Sequence, residues 1–152
     1  MKKVFFYTVL LFFSIKSFAF ALDLEYIRNN YEKAASDKKL CKEMIVELEK
    51  STPTAVHLAY LGGLQTIWAK HTRNPFSKWS TFKKGKATIE KAVKSDADNI
   101  EIRYVRLSIQ QNCPVFLGYT KDIKDDEEFL KKYKESGIPV RLQNLIKALL
   151  NQ

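Results

Sequence analysis

The segment that decides the fold is residues 54–71, TAVHLAYLGGLQTIWAKH. Its apolar residues recur at helical spacing, which predicts one long helix over these residues. Small residues share one face of that helix, and a face without bulky side chains lets a second helix approach closely. These residues are Ala59, Gly62, Gly63, Thr66 and Ala69. The segment therefore predicts a helix that packs closely against a neighbouring helix.

Helical spacing continues on both sides of this segment. No stretch alternates apolar and polar residues as a strand would. Breakers and caps separate the helices: Ser36 or Asp37, Thr52-Pro53, Asn74-Pro75, Pro114 and Pro139. The predicted helices cover residues 24–34, 40–48, 54–71, 76–93, 100–112, 122–134 and 142–150. We therefore predict an all-α fold with about six to seven helices.

Helices joined by short breakers suit an up-and-down bundle or a stack of helical hairpins. Residues 89–99, IEKAVKSDADN, favour the stack. There, a helix end that contains alanine runs into a turn that resembles the boundary between tetratricopeptide repeats, with Ala97 where that pattern has proline. The resemblance implies antiparallel helical hairpins stacked as a short tetratricopeptide-like array.

A wider set of motifs lies between residues 60 and 119. It comprises Tyr60-Leu61-Gly62-Gly63, Asn74-Pro75-Phe76, Lys84-Gly85-Lys86, Asn99-Ile100-Glu101-Ile102-Arg103 and Phe116-Leu117-Gly118-Tyr119. These motifs are similar to those of small, uncharacterised exported helical proteins of Bacteroidetes-type bacteria. The resemblance implies a fold and an exported location, and it supplies no catalytic residues.

The first 21 residues have the composition of a secretory signal peptide. Two lysines precede an apolar run over residues 4–15, and Ala19 and Ala21 are the small residues of a cleavage site. The alternative is an uncleaved membrane anchor, which would need about 20 apolar residues. Lys16 ends the apolar run before that length. We therefore expect cleavage after Ala21, and a mature protein, residues 22–152, that is periplasmic or secreted.

The remaining residues suffice for a single domain around one core. Without the first 21 residues the net charge falls from +9 to +6, since that segment holds three lysines and no acid. The other charges are intermixed in sign, which disfavours nucleic acid as a partner. Serine nucleophile elbows, phosphate-binding glycine loops and paired-cysteine motifs are absent from the sequence. We therefore predict no enzymatic activity and no cofactor, with an unrecognised hydrolase as the alternative.

Two cysteines and two histidines are the other candidates for chemistry. Cys41 and Cys113 would enter an oxidising compartment, where they could form a disulfide. The alternative is two separate, small buried side chains. His57 and His71 are fourteen residues apart in one helix, about 21 Å, which is too far to share a metal ion. We therefore predict packing or capping roles for the histidines and leave the cysteine pairing open.

Residues 70–86 carry six basic and three aromatic side chains and no acid. One interpretation is a surface for anionic lipid or glycan, with the basic groups on phosphates and the aromatic rings near the interface. The alternative, which helical spacing favours, is a buried stripe of Phe76, Trp79 and Phe82 with the lysines on a solvated face. The basic residues are Lys70, Arg73, Lys78, Lys83, Lys84 and Lys86.

The predicted fifth helix is apolar on two flanks, with a polar stripe of Arg103, Arg106 and Gln110 between them. In a stack of hairpins this stripe could line a groove where guanidinium groups bind a partner's carboxylate or phosphate. It resembles in kind the basic peptide-binding grooves of some tetratricopeptide proteins. The alternative is internal pairing with Glu101, Glu90 or the acidic start of the sixth helix.

Two functional hypotheses follow from these patterns. The first is a protein- or peptide-binding module that uses the polar stripe of the fifth helix. The second is a peripheral envelope protein that binds anionic lipid or glycan through the basic face of residues 70–86.

Overall fold

The computed structural model describes residues 23–50 and 54–152. Within those ranges the fold is all-helical, as the sequence predicts, with seven α-helices and two short 3₁₀ turns. The predicted signal peptide and its cleavage site lie outside the described residues, as does the breaker Thr52-Pro53. The α-helices are α1 (Leu24–Asn30), α2 (Lys38–Lys50), α3 (Ala55–His71), α4 (Pro75–Ser95), α5 (Ile100–Asn112), α6 (Ile123–Lys131) and α7 (Val140–Leu150), and the 3₁₀ turns are Lys33–Ala35 and Val115–Leu117.

Side-chain caps set the starts of five described helices, three of which are α2, α4 and α5. Asp37, Asn74 and Asn99 each accept a hydrogen bond from a first-turn backbone N–H of α2, α4 and α5, at 2.9, 3.1 and 3.1 Å. Such caps satisfy N–H groups that have no partner within the helix. Pro75 follows Asn74 as the first residue of α4, where its missing N–H costs nothing. The breakers at Asp37 and at Asn74-Pro75 therefore act where they were expected.

Two helices are shorter than the sequence pattern predicts. The first ends at Asn30, so that Ala34 belongs to a separate 3₁₀ turn, and α6 ends at Lys131 rather than at residue 134. After each of these ends, backbone hydrogen bonds join residues that are three apart. The N–H of Ala35 donates to the carbonyl oxygen of Glu32, and the N–H of Lys132 donates to that of Phe129. These tighter turns end the α-helical geometry although the apolar spacing continues.

The long helix α3 lies at the centre of the core, because eleven of its 17 residues are buried. It packs most extensively against α4 and also contacts α2 and α5. A Cβ atom built on Gly62 would lie 2.7 Å from the backbone nitrogen of Ile89, and one built on Gly85 would lie 2.7 Å from that of Thr66. The two backbones are therefore too close to admit even a methyl group between them. This confirms the close approach predicted from the small-residue face.

The remaining helices complete the core around α5. Helix α6 packs against α5, and α7 contacts α1, α5 and α6. Among the helices of residues 23–50 and 54–152, none is both long and apolar enough to cross a bilayer. The tetratricopeptide-like stacking stays a prediction.

Candidate functional site

The polar stripe of α5 meets a buried carboxylate rather than an open groove. Arg106 donates to both carboxylate oxygens of Asp126, from Nε and Nη2, each at 2.7 Å. Arg103 Nη1 donates to the same carboxylate at 2.7 Å. The side chain of Asp126 is fully buried, and those of Arg106 and Arg103 are 6% and 19% exposed. Burial by itself would lower the pKa of Arg106, but the hydrogen bonds with Asp126 raise it above its ordinary value.

Further acids complete this cluster. Arg106 Nη1 lies 3.4 Å from Glu90 and 3.8 Å from Asp122, and the amide of Gln110 donates to Asp122 at 3.3 Å. Glu90 and the acidic start of α6 are therefore internal partners of the stripe, as one alternative proposed. The three candidate residues are paired within the domain, so the structure does not present them as an open contact surface. A role in partner binding stays a prediction that this geometry does not support.

The third expected partner, Glu101, is used elsewhere. Arg28 donates to its two carboxylate oxygens at 2.7 and 2.8 Å, and the hydroxyl of Tyr60 donates to it at 2.7 Å. The hydrogen bond with Glu101 raises the pKa of Arg28 above its ordinary value. The predicted pairing of Glu101 with the polar stripe of α5 is therefore wrong. This carboxylate instead joins α5 to α1 through Arg28 and to α3 through Tyr60.

The two cysteines are separate free thiols, so the disulfide alternative is not the one found. Cys41 is fully buried with Sγ 3.6 Å from the carbonyl oxygen of Leu64, whereas Cys113 Sγ lies 3.5 Å from that of Gln110. Each thiol therefore contacts a different part of the backbone. Burial raises the pKa of Cys41 to about 12 and also raises the pKa of Cys113.

The histidines have the capping and packing contacts that the sequence predicts. His57 Nδ1 lies 2.7 Å from the hydroxyl of Thr54, and His71 Nε2 lies 3.0 Å from the carbonyl oxygen of Ala34. In the described part of the chain, no group of three or more potential metal ligands lies together.

The first two turns of α4, residues 75–80, are exposed to solvent; we call them the α4 tip. Each of these residues is exposed, and Phe76 and Trp79 are 86% and 49% exposed. Only Phe82 of the three aromatic residues is buried. The predicted buried stripe is therefore wrong for Phe76 and Trp79. Helix α4 is about 31 Å long, and its close contact with α3 lies at Gly85, ten residues after the start of the helix.

A second exposed apolar segment is the 3₁₀ turn after α5, which we call the Phe116 turn. Val115 and Phe116 are 79% and 86% exposed. Gly118 ends the turn at a φ of +63°, a conformation that glycine adopts without strain. The next residue, Tyr119, is buried and donates its hydroxyl to Glu90 at 2.7 Å. The Phe116 turn is therefore fixed to the body of the protein at its far end.

A groove of about 710 Å³ separates the α4 tip from the Phe116 turn. Trp79 of the α4 tip and Phe116 of the turn both line it. Its volume lies within the range of roughly 300–1,000 Å³ that is typical of ligand sites. Its floor is mainly apolar and combines residues from α3, α4, α5 and α7: Thr66, Ile67, Phe82, Tyr104, Ile109 and Leu149.

The six basic residues at 70–86 fall into two groups. Lys84 pairs with Glu49 at 3.3 Å, and Lys86 donates to the carbonyl oxygen of Gly118 and lies 4.8 Å from the ring centroid of Tyr119. The other four make no ion pair with any described residue and face solvent. These four are Lys70, Arg73, Lys78 and Lys83.

The described residues thus include two exposed apolar segments that border one groove, and four unpaired cations, of which Lys70 and Lys78 line that groove. Comparisons with protein-family models, curated proteins and solved structures find no significant match to this chain. The function therefore has to be inferred from these three features.

The sequence patterns did not identify the Phe116 turn or the groove as part of a candidate site. A signal for the turn exists, because Val115 and Phe116 lie between Pro114 and Gly118, where no regular helix can bury them. The groove has no such signal, since its floor combines residues from four helices that are far apart in the sequence.

Proposed function

We propose that this is an exported, non-enzymatic protein that docks on an anionic membrane surface. The contact surface, which we call the docking face, consists of the α4 tip, the Phe116 turn and the four unpaired cations. The observation that carries the proposal is the exposure of Phe76 and Phe116, each 86%, together with a groove that Phe116 and two of the cations, Lys70 and Lys78, line. Exposed apolar groups with a charged surround are typical of interaction sites.

The energetics of such a face suit a lipid surface. Each basic residue near an anionic bilayer contributes about 1 kcal/mol. Aromatic rings that enter the interface remove a large apolar area from water. Phe76 and Phe116 carry no polar atom on the ring, which favours the apolar part of a lipid over a glycan. The predicted leader supports an envelope location, where such lipid is present.

The alternative, a peptide-binding groove on α5, is less well supported. Its arginines would have to leave Asp126, and that would uncover a buried carboxylate. Removing one partner of a buried ion pair typically costs about 3–5 kcal/mol. The docking face needs no such rearrangement, because its cations have no internal partner among the described residues.

Sedimentation with vesicles tests the electrostatic part of the proposal. The protein should pellet with vesicles that contain phosphatidylglycerol and stay in solution with pure phosphatidylcholine. Binding should weaken as salt rises, because the Debye length falls from about 10 Å at 0.1 M to about 3 Å at 1 M. The double variant Arg73→Gln/Lys83→Gln should lose about 2 kcal/mol of binding free energy, which is about thirtyfold in affinity.

A matched variant controls for the loss of net charge. Lys91→Gln/Lys94→Gln removes two exposed cations from the far end of the same helix and should bind as the wild type does. Phe76→Ser tests the aromatic part and should weaken binding in high salt, where only the apolar contribution remains. Equal losses in the two double variants, or full binding by Phe76→Ser, would refute the proposed docking face.

A further inference from the structure

We infer that the groove between the α4 tip and the Phe116 turn binds one long-chain fatty acid. The hydrocarbon chain would lie on the apolar floor and the carboxylate at Lys70 and Lys78, which line the groove. The choice of ligand class rests on the proposed function, since a protein at a lipid surface meets free fatty acids there.

The floor of the groove suits a chain of methylene groups. Ile67, Phe82 and Ile109 are core residues that the groove reaches from outside. Ser108 also lines the groove, and its hydroxyl donates to the carbonyl oxygen of Val105 at 2.8 Å. This hydroxyl therefore needs no hydrogen-bond acceptor on a ligand. Each methylene group that leaves water adds about fourfold to affinity. A longer chain should therefore bind more tightly until the groove is full.

The charges around the groove favour a carboxylate. Lys70 and Lys78 line it and make no ion pair with a described residue. The acidic side chain in the lining, Glu32, is paired with Arg141 at 3.4 Å. The lining has no guanidinium fork of the kind that favours phosphate, and an ammonium group suits a single carboxylate.

A second copy of the chain fits the groove less well. A twofold contact sets identical surfaces against each other, so unpaired cations of one copy would meet those of the other. A fatty acid instead supplies the missing negative charge together with the apolar surface.

Quenching of tryptophan fluorescence by dibromostearate tests the inference directly. The bromine atoms quench only an indole ring that they contact, and Trp79 lines the groove whereas Trp68 does not. Purified protein should show saturable quenching at one dibromostearate per chain, below the concentration at which the probe forms micelles. Quenching should persist in Trp68→Phe and disappear in Trp79→Phe.

Variants of the lining test the two halves of the site. Lys70→Gln and Lys78→Gln should each weaken dibromostearate binding about two- to fivefold, the size of an exposed ion pair, and leave a brominated neutral alcohol unaffected. Ile109→Phe should narrow the groove and weaken binding at least tenfold. Because Ile109 is also part of the core, Asn112→Phe makes the same test at an exposed lining position.

The outcomes separate this inference from membrane docking. Phe76 does not line the groove, so Phe76→Ser should keep full quenching while its vesicle binding in high salt weakens. Full vesicle binding by Phe76→Ser with normal quenching would refute only the docking face. Quenching that survives Trp79→Phe, a stoichiometry of two chains per probe, or equal affinity for the neutral alcohol would overturn the inference. So would the absence of quenching.

Discussion

Replacement of Asp126 by asparagine should lower the free energy of unfolding by about 3–5 kcal/mol. The fully buried carboxylate of Asp126 accepts three hydrogen bonds at 2.7 Å, two from Arg106 and one from Arg103. In Asp126→Asn, the side chain at position 126 is neutral, and Arg106 keeps two neighbouring carboxylates, Glu90 at 3.4 Å and Asp122 at 3.8 Å. Because these carboxylates compensate part of the buried charge of Arg106, we expect a loss near the lower end of this range, about 3 kcal/mol. That loss is still a large share of the free energy of unfolding of a typical domain, about 5–15 kcal/mol.

Urea unfolding at pH 7, followed by far-UV circular dichroism, measures this loss. The matched control is Glu128→Gln, on the same helix, whose carboxylate is 71% exposed and lies 3.7 Å from Lys132. Exposed pairs four residues apart contribute about 0.3–0.5 kcal/mol, so the control should barely change. A loss below about 1 kcal/mol for Asp126→Asn, with an unchanged m-value, would refute the assignment of this carboxylate as the main partner of Arg106. Below the unfolding transition, the variant should bind vesicles as the wild type does.

Gly85→Ala should lower the free energy of unfolding by about 1–3 kcal/mol, because its Cβ would lie 2.7 Å from the backbone nitrogen of Thr66; a melting temperature equal to that of the wild type would contradict this. Since Cys41 and Cys113 are unpaired, dithiothreitol should leave the melting temperature unchanged, and a fall would reveal a disulfide. Burial raises the pKa of Cys41 from 9.0 to about 12, so its contribution to stability should be complete below pH 9 and be lost as the pH rises towards 12, by about 1.4 kcal/mol per pH unit. Urea titrations at pH 8.5, 9.5 and 10.5 should show that the free energy of unfolding falls less steeply with pH in Cys41→Ala than in the wild type. An identical fall in the two proteins would contradict the raised pKa of Cys41.

The helices could be predicted from the sequence because their signals are local. A cap such as Asn74 or Asn99 acts within its own first turn, so the residue type and its position suffice to place the helix start. The close approach of α3 and α4 was also predictable, since a missing side chain at Gly62 is visible in the sequence itself.

The site could not be predicted as fully, because it depends on where neighbouring elements end. The spacing of Phe76, Trp79 and Phe82 is helical whether or not a partner covers that face, so only the structure shows that Phe76 and Trp79 are exposed. The acidic start of α6 was likewise identified as a partner of the arginines, but the sequence does not show that Asp126 is the acid that faces inward.

The glycine contact between α3 and α4 has a mechanical consequence for the docking face. Phe76 lies nine residues before Gly85, about 13 Å along an uninterrupted helix. Because the backbones of α3 and α4 approach closely at Gly62 and Gly85, with no side chain between them, a displacement of the α4 tip is transmitted to α3. A force on Phe76 would therefore act on the α3–α4 pair and not on the first turns of α4 alone. Anchoring the tip would therefore set the tilt of the entire domain relative to the surface that holds it.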